Sequence, residues 1–273
     1  VRIFVNQAPS AYLLAGQISE LERLQLQSRV WEPAGRALVQ NIPRVGAAKA
    51  LDVGCGAMGW LRVLSEWAGA QGAVVGTDID ERMLNAANSF VESESLVNVS
   101  LVKDDLFESQ LEPGSFDLVH ARFQIAPLGR AAQQVAAYRS LVKPAGWLIL
   151  EDPDMGSWHV SPRAPSVDRL IDLIREGFLA AGGNFDSGRD LPMLMKDAGL
   201  RPSVSATVIA LEPGDAYLRL PLQFATALRP RLEKLRGSSD LDELVRQAEA
   251  ELSREGTWGT TFTLIQACAQ VLD

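Results

Sequence analysis

Residues 49–59 read KALDVGCGAMG, and the reading of this stretch decides the fold. Ala50, Leu51 and Val53 make the short apolar run of a buried parallel strand. Gly54, Gly56 and Gly59 follow at G-x-G-x-x-G spacing, and residues 60–67 read as a helix. A strand, a glycine turn and a helix in that order are the context in which this spacing marks a nucleotide loop. Glycine lets the backbone turn tightly and lets a ligand approach the main chain. The helix start beyond it offers unpaired N–H groups and the positive end of the dipole. Dinucleotide dehydrogenases share the spacing. Asp52 argues against that reading, because an acid just before the first glycine repels a pyrophosphate and suits a ligand with an ammonium group.

The rest of the composition bounds the partners. A chain of 273 residues can bury one large α/β domain with a cap. Its apolar share of 47% is ordinary for a globular protein, and its net charge of −8 argues against nucleic acid or an anionic membrane. No apolar run reaches the roughly 18 residues of a spanning helix, and the N-terminus lacks a signal-peptide layout. Two distant cysteines, Cys55 and Cys268, fit a reducing cytoplasm. No metal-ligand spacing such as C-x-x-C or H-E-x-x-H occurs. A homodimer is left open.

Residues 52–56, D-V-G-C-G, resemble motif I of the class I S-adenosylmethionine (SAM)-dependent methyltransferases. The branch it resembles is that of small-molecule methylases, the natural-product and ubiquinone–menaquinone C-methylase-like enzymes. The resemblance covers about residues 45–152 by motif and the remainder by layout. It implies SAM as cofactor, with S-adenosylhomocysteine (SAH) as product. It implies an α/β fold, a Rossmann-like seven-stranded doubly wound sheet, parallel with one antiparallel strand, and an added helical cap. Residues 1–44 are then an N-terminal helical lid and 45–273 the SAM-binding domain, with the cap inserted at 215–255.

Along the chain, residues 10–41 carry Ile18, Leu21, Leu24, Val30 and Trp31 near helical spacing, and Pro33 divides them into two helices. They either pack on the domain or close over the cofactor. In the second case Tyr12 faces the sulfonium by a cation–π contact, and Gln27 and Arg23 reach the SAM carboxylate. Residues 73–78 form the second strand, ending in Asp78, the candidate acceptor for the ribose hydroxyls. Asp80 caps the next helix. Met83, Ala87 and Phe90 share a face of it, as core or, for Ile79 and Met83, as an adenine sandwich. Residues 97–103 form the third strand. Asp104 then matches the family's acid for the adenine amine, with the backbone of Asp105 and Leu106 beside the ring; a solvated turn is the alternative.

Residues 116–121, FDLVHA, form the fourth strand, and ligands in such sheets lie beyond the carboxyl ends of the strands. His120, Arg122, Phe123 and Gln124 therefore fall near the transfer centre, Arg122 on the cofactor side. A helix follows at 130–141 and the fifth strand at 147–150, ending in Glu151, Asp152, Asp154, Trp158 and His159. Loop polarity explains this cluster, or else it is a substrate pocket with a proton acceptor. An unperturbed histidine titrates near neutral pH, which makes His159 the candidate base; Glu151 joins it if burial raises its pKa, and Asp152 and His120 complete the catalytic candidates. Phe123, Gln124, Trp158 and Phe224 are the candidates for holding the acceptor. Residues 165–181 and 190–199 read as helices and 204–211 as a strand. Residues 215–252 read as helical, broken at Pro221 and Pro230, and 260–266 as the final antiparallel strand.

The expected activity is methyl transfer to oxygen, nitrogen or carbon of a small, partly apolar acceptor, an aromatic secondary metabolite being favoured. A nicotinamide-dependent oxidoreductase and a non-catalytic SAM-binding scaffold are the alternatives. The acidic charge and the cap count against RNA as acceptor.

Overall fold

The computed structural model describes residues 18–44 and 46–272, with side chains from residue 21 onward. Tyr12 lies outside the described residues. Helix α1 (Ile18–Val39) leads into β1 (Lys49–Val53), α2 (Leu61–Ala68), β2 (Ala73–Asp78), α3 (Glu81–Ser93), β3 (Val99–Lys103) and β4 (Phe116–Arg122). There follow α4 (Ile125–Leu128), α5 (Ala131–Leu141), β5 (Val142–Asp154), β6 (His159–Ser161), α6 (Pro165–Leu179) and α7 (Leu191–Asp197). The chain continues through β7 (Ser203–Thr207), β8 (Ala210–Leu211), α8 (Leu220–Ala227), α9 (Arg229–Arg236) and α10 (Ser238–Leu252). It ends in β9 (Trp258–Thr260) and β10 (Thr263–Gln270).

Seven strands form one sheet in the order β3-β2-β1-β4-β5-β10-β7. Strand β10 runs antiparallel to both neighbours, β5 and β7, and the other strands are parallel. This is the expected doubly wound sheet. Its central strands are buried on both faces, so successive residues feed different cores. Ala50, Leu118 and Ile149 join Trp60, Leu61 and Leu64 on one face. Leu51, Val119, Leu148 and Leu150 join Val135, Tyr138 and Met195 on the other.

A third core lies beyond the strand ends, under α1, α6, α8 and α10. Phe262, fully buried, is its hub and packs with the rings of Trp31, Phe123, Trp158, Phe185 and Tyr217. Trp31 also donates its indole N–H to the Tyr217 hydroxyl at 3.0 Å. This core explains why α1 runs unbroken through Pro33, against the expected two helices. An interior proline loses one backbone bond. Here Trp31 is anchored, and Glu32 binds Arg36 one turn on and Arg62 of α2, so packing outweighs the loss.

Four boundaries differ from the sequence reading. Strand β3 begins at Val99, and Val97 is exposed. Strand β5 extends past Leu150 to Asp154, because β10 pairs with it along that whole length. The expected strand 204–211 is two strands in different sheets, and so is the expected strand 260–266. Strands β6, β9 and β8 form a separate three-stranded sheet that the sequence did not reveal. In the 215–252 region Pro221 and Pro230 sit in the first turns of α8 and α9, where the missing N–H has no helical partner to lose. No described helix is long and apolar enough to cross a membrane.

Truncating the hub tests this third core. Phe262→Ala is expected to lower the unfolding free energy by about 3–5 kcal/mol, the usual cost of a buried aromatic truncation, read by urea denaturation.

Candidate active site

One large cavity, of about 900 Å³, opens at the carboxyl ends of β1, β2, β3 and β4. Its floor is the glycine turn. Gly54, Gly56 and Gly59 all take positive φ, +63°, +56° and +45°. A Cβ on Gly54 would collide with the Gln124 side chain, and one on Gly59 with the Asp52 carboxylate, whereas the space above Gly56 is open. Only glycine meets both the conformation and the close approach. The Gly56 amide donates to Asp78 at 3.0 Å, which ties the turn to the end of β2. Burial pushes the Asp78 pKa upward, and backbone amides at Gly56 and Asp80 partly offset this.

The β1–β3 side of the cavity carries carboxylates: Asp52, Asp78, Asp80, Glu81, Asp104, Asp105 and Glu108 all line it. Asp104 accepts from the Gln110 amide and Asp105 caps the short turn at Leu106–Glu108. Ile79, more than half exposed, and Met83 stand over this side. Arg130 covers the ring of Phe107 at its mouth, 3.7 Å from the centroid.

The opposite side is walled by α1, α6, α8 and the end of β4. Phe123, Phe178, Phe185, Phe224 and Pro153 line it, with Arg23, Gln27, Ser28, Arg122 and Gln124. Three of the rings pack edge to face, Phe178 on Phe185 at 4.5 Å and Phe185 on Phe224 at 5.2 Å, a favoured aromatic arrangement. Arg23 lies 4.8 Å over the Phe224 ring and donates to Gln27. Phe123 holds a left-handed φ of +57°, strained for a bulky residue, with its amide bound to the Glu151 carbonyl. Among the described residues no carboxylate lines this side.

Between the halves stand His120 and Arg122. Arg122 is nearly buried; its Nη2 donates to Ser28, and its Nη1 has no partner in the structure. A buried, unpartnered guanidinium N–H on a residue that lines a cavity suits an anionic ligand group. His120 is fully buried, with Nδ1 2.7 Å from Asp52 and Nε2 3.1 Å from Glu151.

Several expected site residues fall elsewhere. His159 is exposed on β6, paired with Thr260, and does not line the cavity. The chain leaves β5 through a short turn at Met155–Ser157 and joins the second sheet, which carries His159 away from the strand ends. Trp158 is buried behind the wall, packed on Phe224 and Phe262. Glu151 and Asp152 lie inside the sheet and not on the cavity surface. Burial pulls the Glu151 pKa up, but His120, Arg122 and Gln266 outweigh it, so the net direction is down and not the expected rise. Burial pushes Asp152 to about 7, and its carboxylate accepts from the Ala126 amide at the start of α4. Phe178 lies in the sequence as one apolar residue of a helix, and Phe185, Pro153 and Ser28 carry no local signal, because only the tertiary fold brings them together. No cluster of metal-ligating side chains occurs among the described residues.

Comparison with known proteins agrees with this architecture. Residues 50–146 match the family model described as "Methyltransferase domain". A demethylmenaquinone methyltransferase of Bacillus cereus is 35% identical over 102 residues, 37% of this chain and 43% of that protein. The chain spans less than half the length of the curated relatives it matches. A SAM-dependent methyltransferase from Aquifex aeolicus superposes with a TM-score of 0.56 at 16% identity, over 94% of this chain and all of that one. A Haemonchus contortus phosphoethanolamine N-methyltransferase 2 in complex with SAM superposes with a TM-score of 0.53 at 16% identity, over 92% of this chain and 57% of that one. Residues 50–146 therefore resemble a methyltransferase domain, and the glycine turn after Asp52 lies in a sheet that shares the fold of the solved SAM-dependent methyltransferases.

Proposed function

We propose that the chain transfers the methyl group of SAM to a small, planar, partly apolar acceptor. The observation that carries this reading is the division of one cavity into a glycine-and-carboxylate half and an aromatic half. The volume of about 900 Å³ is at the upper end of small-ligand sites and suits a cofactor and an acceptor side by side. SAM, when bound, supplies a methyl group already activated by its sulfonium.

The residues present fit that cofactor. Asp78 has the position to accept from the two ribose hydroxyls. Ile79 and Met83 offer apolar faces to the adenine, and Asp104, Asp105 and Leu106 line its edge. The unpartnered Nη1 of Arg122 suits the carboxylate of the methionine end, with Gln27 and Arg23 on the same wall. The negative charge of Asp52 suits the ammonium group. In this reading α1 and the 215–255 segment cover the cavity and exclude water.

The aromatic half favours an aromatic acceptor, for which Phe123, Phe224 and Phe185 give edge and face contacts. Relatives named demethylmenaquinone methyltransferases favour a phenol or quinol ring over an amine. Neither nitrogen of His120 is free to take a proton from the acceptor, and His159 is remote. A phenol or quinol acidified by its ring substituents, so that its nucleophile is ionised near neutral pH, fits this wall best. The chain then orients it in line with the methyl group. The chain's net negative charge favours such an acceptor over nucleic acid.

Calorimetric titration with SAH, with NAD as control, tests the reading. Micromolar binding of SAH alone is expected; binding of NAD alone would replace the methyltransferase by an oxidoreductase. Methyl transfer from labelled SAM to a panel of phenols and quinols then separates an enzyme from a binding scaffold. Asp78→Ala is expected to weaken SAH by about 1–3 kcal/mol, as charge-assisted bonds are lost. Gly54→Val should abolish SAH binding in a folded protein, because a branched side chain fits neither its φ nor the space below Gln124. Phe224→Ala should raise the KM for the acceptor several-fold while SAH affinity changes little.

A further inference from the structure

The His120 ring lies between two carboxylates in a chain of buried polar contacts. The Asp52 oxygen not facing the ring accepts the Trp60 amide at 2.7 Å, at the start of α2. The Glu151 oxygen not facing the ring accepts from Gln266 Nε2 at 2.5 Å, on β10. The Trp60 indole stacks on the imidazole, 3.9 Å between centroids with planes 14° apart. Strand pairing sets the arrangement: Asp52 is in register with His120 across β1 and β4, and Glu151 with Arg122 across β4 and β5.

Both ring nitrogens therefore face carboxylate oxygens. A neutral imidazole has one N–H and can satisfy only one of them. The other carboxylate would meet a lone pair inside the protein, at the cost of an unpaired buried charge. We propose that His120 is a positioning residue that stays doubly protonated at neutral pH and, bonded to both carboxylates, locks the glycine turn of β1 to the end of β5. It acts through Asp52, which holds Trp60 and so fixes where the turn ends and α2 begins. It is not the base of the reaction, since no nitrogen is left to accept a proton.

The charged surroundings agree. Besides Asp52 and Glu151, the charged group beside this set is Arg122, whose Nε is 4.0 Å from Glu151. Burial works against the imidazolium, but Asp52 and Glu151 outweigh it and the net pKa direction is upward from 6.5. A pKa raised on folding gives a contribution that is complete below the ordinary value and lost as pH climbs through the raised one. The grip on the turn should therefore loosen on the alkaline side.

The chain has two histidines, so the test is direct. Nuclear magnetic resonance of protein labelled with 15N-histidine is followed from pH 5.5 to 10, with His159→Ala for assignment. The expected result is that both nitrogens of His120 remain protonated at pH 7.5. Amide exchange of Trp60, corrected for intrinsic rates, should accelerate as His120 titrates. In His120→Asn it should be about tenfold faster at pH 7 and independent of that titration. A neutral His120 tautomer at pH 7.5, or a Trp60 amide indifferent to its titration, overturns the proposal. The labelled native protein decides even if His120→Asn fails to fold. SAH affinity, which rests on the cofactor reading above, should fall over the same pH range. SAH binding that is absent at every pH overturns that reading alone, and the two proton measurements judge this proposal without it.

Discussion

Charge buried at the ends of three neighbouring strands has to be paired, and the rest of the site is built on how this is done. Asp52, His120 and Glu151 come from β1, β4 and β5, each nearly or fully excluded from solvent. An isolated ion in such a place is costly, and removing one partner of a buried set costs more than the set itself contributes. The pairing therefore constrains its surroundings. It fixes the spacing of the central strands at their functional ends, and it requires Gly59, because the Asp52 carboxylate occupies the space a side chain would need. It also uses Gln266 of the antiparallel strand, so the chain's last strand supports its first.

The cavity above divides its work by chemistry. Carboxylates and glycines come from the first three strands, rings from helices and loops outside the sheet. Rigid strand ends hold polar groups that must meet a fixed ligand shape. A wall of packed rings admits a range of planar shapes without new hydrogen bonds. The left-handed Phe123 sits at the junction of the two halves, held by the Glu151 carbonyl in a conformation that open chain would not choose.

The first half was legible in the sequence because its signals are local. Strand, glycine turn, helix and the acid ending the next strand lie within residues 49–78, and each has a backbone reason for its residue type. The doubly wound sheet with one antiparallel strand followed from the family resemblance. The second half was not legible, because its walls meet only through long-range packing. Phe178 looked like any apolar residue on a helical face, and Phe185 like part of a loop. His159 and Trp158 seemed well placed, being only a few residues beyond the fifth strand. A short turn and a second sheet, whose other strands come much later in the chain, took them away. The paired role of His120 was hidden for the same reason, since it depends on which strands are neighbours and in what register.

The aromatic hub at Phe262 also sets an order of assembly. Strands β1 to β4 pair through connections that are short in sequence, apart from the crossover that places β4 beside β1. Short loops close at little entropic cost. The chamber instead needs Trp31, Phe224 and Phe262 at once, drawn from opposite ends of the chain. During synthesis, the nucleotide half has every strand it needs well before the ribosome delivers Phe262. The third core is complete only when Phe262 arrives, so a chain that ends before it holds strands β1 to β4 and lacks the ring on which Trp31, Phe123 and Trp158 pack.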